Sequence, residues 1–282
     1  MDQDQHQDSG QPTAAVATRN EFVRSLSTGL KVLESFSAAE PKLTLSEVAR
    51  RSGVSRATAR RMLLTLVHEG YAYTDGRVFE LTPKVLGLGQ GYWSGRGWHE
   101  LLQPSLGELS EQLAESCSAA LLVGDEVMYV CRVHTRRIMR IDLALGTKLP
   151  AFVTSMGRVL LAELDDEALR HRLQAMPRTA FTRRTVTDPE QLQGIIAGVR
   201  ADGYAVVDEE LEEGLRSVAV PVRDARGSIV LSLNTSISAG RESAAESVER
   251  TLPHLLRCAA TVEDLIRSLG DDVGRLTVPP SL

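Results

Sequence analysis

Residues 41–71 read PKLTLSEVARRSGVSRATARRMLLTLVHEGY, and their punctuation decides the fold of the first third of the chain. Thr44 and Glu47 have the T-x-x-E spacing of a capping box, so a short helix is expected to start at Leu45. Gly53 supplies the left-handed residue that ends such a helix. Ser55 then caps a second helix, and Val54 is placed to staple onto Ala59. Two short helices joined by about three residues around a glycine form a helix-turn-helix. At 100° per residue, Ala59, Met62, Leu63 and Leu66 share one stripe of the second helix, whereas Ala57, Arg60 and Arg61 point away and Arg56 lies at the border. A solvated surface helix is the bland alternative for three arginines in six residues. The small outward Ala57 favours DNA, because a helix must come close before arginine forks reach guanine edges or phosphates.

The flanking segments extend this module. Upstream, Phe22, Leu26, Leu30, Leu33 and Phe36 recur at helical spacing and predict a helix over 21–37. Downstream, YAYTDGRVFEL (71–81) has two short runs around Asp75-Gly76, which predicts a hairpin with a two-residue type I′ turn. A hairpin after a helix-turn-helix makes a winged helix, with Arg77 at the tip for phosphate or the minor groove. This reading places Thr44, Ser55, Arg56, Ala57, Thr58, Arg60, Arg61 and Arg77 at DNA.

The formal net charge of -5 hides a division within the chain. Residues 1–18 hold three acids and no base, residues 19–84 hold 11 Lys+Arg against 7 Asp+Glu, and residues 85–282 hold 21 against 27. A basic module therefore precedes an acidic body, an asymmetry that points to nucleic acid as a partner of one part only. At 282 residues and 43% hydrophobic content, each of two domains has material for a core. No run of ~18 apolar residues and no basic-then-apolar start are found, so a cytoplasmic protein with a disordered leader is expected, without membrane contact. Cys117, Cys131 and Cys258 lack a disulfide framework or a CxxC spacing, and read as small core residues.

The glycines of PKVLGLGQGYWSGRGW (83–98) do not fit G-x-G-x-x-G and follow no suitable strand, so they read as a linker into a helix at about 98–115. From Cys117 the period becomes two: SCSAALLVG, a Gly124-Asp125 turn, EVMYVCRVH and a short strand near RIMRIDL. Thr154 or Ser155 then caps a helix over MGRVLLAEL. Asp188-Pro189 opens another that Gly203 closes. Strands YAVVD, RSVAVPVRD and SIVLSLNTS follow, the last two a hairpin across ARG, and a long helix covers about 241–269. This is an α+β domain on an antiparallel sheet. The acids at 208–210 and 212–213 raise the idea of catalytic carboxylates or a metal site. Consecutive acids point several ways, however, and Glu213 is spaced to pair with Arg216. TSMGR lacks the first glycine of a nucleophile elbow, so no hydrolase is indicated. No cofactor or metal is expected.

Four stretches, RSLSTGLKVLESF, LTLSEVARRSGVSRATARRMLLTLVHEGY, TSMGRVLLA and GYAVVDEELEEGLRSVAVPVRD, resemble the IclR family of bacterial regulators over about residues 22–270. ESCSAALL, RRIMRIDLALGTKLPAF and RTVTDPEQL are similar to its branch governing aromatic-acid catabolism through the β-ketoadipate pathway. The resemblance implies a winged helix-turn-helix joined to a GAF-like or profilin-like effector domain. The corresponding division is a leader over 1–19, the DNA-binding domain over 20–82, a linker over 83–97, the effector and oligomerisation domain over 98–270, and a tail over 271–282. It also implies homodimers or homotetramers on inverted-repeat operators in double-stranded DNA. By position it implies an effector pocket lined by Ser155, Met156, Val207 with neighbouring Asp208, Ser217, Asn234 and Ser236. Amides at a helix start attract a carboxylate, and Asn234 and Ser236, two apart on a strand, face one side. Met156 and Asn234 depart from members that bind small keto acids, which turns the expectation toward protocatechuate, p-hydroxybenzoate or β-ketoadipate. Arg136 and Arg137 are the candidates for a second carboxylate. The alternatives are a module whose winged helix contacts protein, or a hydrolase.

Overall fold

The computed structural model describes residues 22–37, 40–89, 98–135 and 144–268. The chain divides near residue 95 into two compact units, each with its own core. Of the expected segments, the leader, the tail, most of the linker and the strand near RIMRIDL lie outside the described residues.

The first unit contains α1 (Arg24–Glu34), β1 (Lys42–Thr44), α2 (Leu45–Ser52), α3 (Arg56–His68), β2 (Ala72–Thr74) and β3 (Val78–Leu81). The capping box forms: the Glu47 amide donates to Thr44 Oγ1, and the Thr44 amide donates to Glu47 Oε2 at 2.7 Å. Gly53 ends α2 at φ 67°, in the left-handed region, and Ser55 Oγ accepts the Thr58 amide at 3.1 Å. Val32, Leu43, Val48, Ala49, Ala59, Leu63 and Phe79 make the core. The hairpin carries a third strand that the sequence reading missed, because KLT merges with the helix start: β1 pairs antiparallel with β3, giving the order β1-β3-β2.

Two details differ from expectation. The hairpin turn is wider than type I′, with Thr74 paired to Phe79 and only Gly76 at positive φ. Asp75 Oδ1 instead accepts the amides of Arg77 at 2.8 Å and Val78 at 2.9 Å, an Asx turn that needs no left-handed aspartate. Those two hydrogen bonds, the one from Val78 foremost, hold the Asp75 carboxyl below its usual range. The apolar stripe of α1 is also only partly used. Val32 is buried and Phe36 packs on the core, whereas Phe22, Leu26 and Leu30 are 58%, 63% and 50% exposed.

The second unit contains α4 (Trp98–Leu113), β4 (Ser116–Val123), β5 (Glu126–Val133), β6 (Lys148–Pro150), α5 (Ser155–Leu161), α6 (Asp166–Ala175), α7 (Pro189–Asp202), β7 (Ala205–Asp208), β8 (Leu215–Arg223), β9 (Ile229–Ser238) and α8 (Ala244–Ser268). All neighbours in the six-stranded order β6-β5-β4-β9-β8-β7 are antiparallel. The expected caps of α7, Asp188 and Gly203, are present. Two elements went unread, α6 with its Asp165 cap and the edge strand β6, whose three residues are too few for a period to register.

Both faces of the sheet are covered. On one, Leu102, Leu106 and Leu109 of α4 and Leu255, Val262 and Ile266 of α8 pack against Val218, Val220, Leu231 and Leu233. On the other, α5, α6 and α7 cover Ala120, Tyr129, Ala205 and Ala219. The start of α5 is pressed onto the preceding 3-10 turn (Ala151–Val153): a Cβ on Gly157 would lie 2.1 Å from the Ala151 carbonyl oxygen. No side chain can retreat to make that room, since the obstruction is backbone. Gly157→Ala is therefore expected to destabilise the second unit by about 3 kcal/mol. Thermal unfolding checks it, and a parent-like midpoint would mean that α5 shifts freely.

Candidate functional site

The second unit holds a cavity on the α5 face of the sheet, with about 480 Å³ of empty space including its mouth. Its walls come from the 3-10 turn and α5 (Val153, Thr154, Ser155, Met156), from β7, β8 and β9 (Val207, Leu215, Ser217, Asn234, Ser236), from the β7–β8 loop (Leu211) and from β5 (Tyr129, Arg132). Antiparallel register explains the floor. Val207, Ser217 and Ser236 stand opposite one another on adjacent strands, and so do Ala219, Asn234, Ser118 and Arg132.

Of the sequence-derived pocket residues, Ser155, Met156, Val207, Ser217, Asn234 and Ser236 converge here. Asp208 is not among the lining residues. Strand alternation turns it away from Val207, and it pairs with Arg216 Nε at 2.7 Å and Arg184 Nη1 at 2.8 Å. Arg216 thus takes Asp208 as its partner, not Glu213. Arg136 and Arg137 lie outside the described residues.

The sequence reading missed Tyr129 and Arg132. Strict alternation along EVMYVCRV puts residues 129 and 132 on opposite faces. The register between β4 and β5 slips at Ala119/Ala120, pairing Ala119 with Cys131 and Ala120 with Tyr129 and leaving Val130 as an extra residue. This bulge turns both side chains to the cavity, the re-aiming that bulges beside functional sites perform. Arg132 is buried, donates through Nε to His134 Nδ1 at 3.3 Å and through Nη1 to Ser118 Oγ at 3.5 Å, and lies 5.8 Å from the Tyr129 ring centroid. An arginine inside an otherwise apolar strand is the signal that could have found it.

Thr154, not Ser155, caps α5, accepting the Gly157 amide at 3.1 Å. That leaves Ser155 at the first helical position with its hydroxyl in the cavity. Among the described residues, the buried side-chain polar atoms without a hydrogen-bond partner are Ser155 Oγ and Asn234 Oδ1. Both belong to this cavity. A buried orphan costs about 1–3 kcal/mol, and two in one cavity are groups that a polar ligand could satisfy.

In the first unit, α3 exposes Arg56, Ala57, Arg60 and Arg61, and Arg77 is exposed at the hairpin tip. Among the described residues none of these arginines has an ion-pair partner, whereas Lys42 pairs with Glu80 and Arg51 with Glu40. Thr44 and Ser55 spend their hydroxyls locally, on Glu47 and Thr58. An unpaired guanidinium row beside a small residue on one helix face matches what the major groove requires. The three cysteines sit in the α4/α8-side core. Burial pushes the thiols up, Cys117 and Cys258 to about 12 and Cys131 to about 11. Among the described residues no group of three His, Cys, Asp or Glu could hold a metal ion, and no helix is long and apolar enough to cross a membrane.

Two family models match the chain: the IclR helix-turn-helix domain over residues 25–76, and the bacterial transcriptional regulator IclR C-terminal domain over residues 90–264. The chain is similar to the Pca regulon regulatory protein of Pseudomonas putida, 44% identical over 88% of this chain and 85% of the relative. It is also similar to the p-hydroxybenzoate hydroxylase transcriptional activator of Acinetobacter baylyi, 32% identical over 93% of this chain and 98% of that protein. Among solved structures, a transcriptional regulator from Rhodococcus sp. RHA1 superimposes with a TM-score of 0.73 at 43% identity, over 88% of this chain and all of that one.

Asn234→Leu removes one orphaned oxygen without emptying the space it fills. It is expected to stabilise the ligand-free protein by about 1 kcal/mol, read as a higher thermal midpoint. A lower midpoint would mean that the amide already has a partner in the native state.

Proposed function

The chain belongs to the IclR family of bacterial transcriptional regulators, and from that premise we propose that it is a ligand-responsive, DNA-binding regulator of aromatic-acid catabolism through the β-ketoadipate pathway. The observation that carries the ligand-responsive part is the cavity in which Ser155 Oγ and Asn234 Oδ1 stand unpaired near Arg132. A cation, two unpaired polar atoms and walls of Tyr129, Met156, Val207, Leu211 and Leu215 suit a small carboxylate with an apolar body. The effector is therefore taken to be protocatechuate, p-hydroxybenzoate or β-ketoadipate, with Ser155, Met156, Val207, Ser217, Asn234 and Ser236 at the ligand, Arg132 added to them and Asp208 behind the strand. The names of the two relatives, a Pca regulon regulator and a p-hydroxybenzoate hydroxylase activator, support the pathway.

Arg56, Ala57, Thr58, Arg60 and Arg61 of α3 enter the major groove of double-stranded DNA, and Arg77 meets the backbone beside it. The exposed Phe22, just before α1, and Leu26 and Leu30 on it favour a homodimer, which reads an inverted-repeat operator by its own two-fold symmetry. The protein acts in the cytoplasm, where its operator is. Effector binding shifts the protein between two arrangements of its paired winged helices, by no more than its differential affinity for them. A hydrolase would need a base on Ser155, whose Oγ has no hydrogen-bond partner.

Calorimetric titration with the three acids tests the ligand reading: heat with at least one is expected, and none with any of them would refute it. Arg60→Ala and Arg61→Ala are each expected to weaken operator binding, and to lower the salt slope by about one if the residue holds a phosphate. Unchanged mobility shifts at physiological salt would instead favour a winged helix that contacts protein.

A further inference from the structure

Two walls of the cavity are tied together by a buried ion pair. Ser155 and Met156 of α5 form one, and Leu211 and Leu215, at the β7–β8 loop, form the other. Arg158, one helical turn beyond Ser155, is 2% exposed, and its guanidinium grips Glu210 with Nη1–Oε1 and Nη2–Oε2 distances of 2.7 Å each. Its Nε donates to the Phe152 carbonyl at 2.9 Å, so all three sides of the fork are fixed. Glu210 immediately precedes Leu211. Its Oε2 accepts the Val186 amide at 3.0 Å, and its carbonyl accepts from Thr185 Oγ1 at 2.6 Å. Thr182 Oγ1 donates to the Glu209 carbonyl at 2.7 Å. Glu209 itself sits at φ 58°, a left-handed conformation uncommon for a residue with a side chain, so surrounding contacts hold the loop there. The acidic cluster thus splits: Asp208 faces Arg216 and Arg184, and Glu210 turns inward to Arg158.

We propose that Arg158 and Glu210 are positioning residues for effector recognition: their two-pronged pair sets the separation of the α5 wall from the Leu211 wall. The proposal rests on the cavity being the effector site. Stability alone is a poor reason for such a pair, because well-packed apolar side chains often replace a buried ion pair at no loss of stability. A planar fork on a carboxylate, by contrast, fixes distance and angle together. α5 cannot slide to compensate, since Gly157 lies against the Ala151 backbone.

The test compares Arg158→Met, Glu210→Leu and the paired Arg158→Met/Glu210→Leu protein in thermal melts and in calorimetry with protocatechuate, p-hydroxybenzoate and β-ketoadipate. Each single variant leaves a buried charge unpaired and is expected to melt well below the parent, while the paired variant recovers most of the loss. Affinity is not expected to recover with it: the acid that binds the parent tightest should bind the paired variant about tenfold more weakly, the scale of one lost hydrogen bond. Recovery of both midpoint and affinity would reduce the pair to a structural element and overturn the proposal. If the paired variant does not fold, Thr185→Val loosens the loop without touching the buried charges. It should weaken binding at a nearly parental midpoint, and parental affinity would overturn the proposal. If none of the acids binds the parent, the effector reading fails, and hydrogen exchange in Thr185→Val decides the pair's role. Faster exchange of the 209–215 amides with unchanged β9 amides supports it, and unchanged exchange throughout overturns it.

Discussion

A six-stranded sheet covered by helices on both faces removes its central strands from water, and every polar side chain there must find a partner inside the protein. β9 is such a strand and carries Ser232, Asn234, Thr235 and Ser236, all buried. Ser232 Oγ donates to the Val220 carbonyl at 3.1 Å and Thr235 Oγ1 to the Ser116 carbonyl at 3.4 Å, each bonding to the backbone of a neighbouring strand. Asn234, opposite Ser118 and Ala219, has no such bond at its Oδ1, and Ser155 Oγ in the same cavity has none either. Leucine and alanine at these places would satisfy the fold. The cavity, the capped start of α5 and the bulge in β5 are all arranged around two polar atoms that the fold itself does not use.

The electrostatics of the two units follow different rules. In the second unit several arginines are paired: Arg158 with Glu210, Arg216 with Asp208, Arg172 with Asp125, Arg200 with Asp166 and Arg250 with Glu242. In the first unit the α3 arginines have no ion-pair partner among the described residues. Unpaired cations on one rigid face keep their attraction for a polyanion, and a net charge averaged over the whole chain conceals that arrangement.

Much of the fold was legible because its signals are local. Thr44 with Glu47, Gly53, Ser55, Asp188 and Gly203 act within one helical turn, and each caps the helix that its spacing announces. The alternation of AVV, RSVAVPVR and IVLSLNTS likewise needed only period two. The hairpin turn was misjudged because Asp-Gly has two uses, and the choice between a type I′ turn and an Asx turn depends on how the flanking strands pair. The face of α1 was equally ambiguous, since a stripe gives an amphipathic helix without saying which half of it is covered.

The sequence by itself determined most of the elements, their caps and the arginine face of α3, because hydrogen bonds and side-chain periodicity act between residues close along the chain; the six cavity residues came from the resemblance to a family, carried over by position. Only the tertiary structure decided that Arg132 reaches the cavity, through a slip of one residue against β4, and that Glu210, 52 residues from Arg158, turns inward while Asp208 does not. Those outcomes depend on strand register and on burial against distant elements. Neither leaves a periodic trace in the residues that carry it.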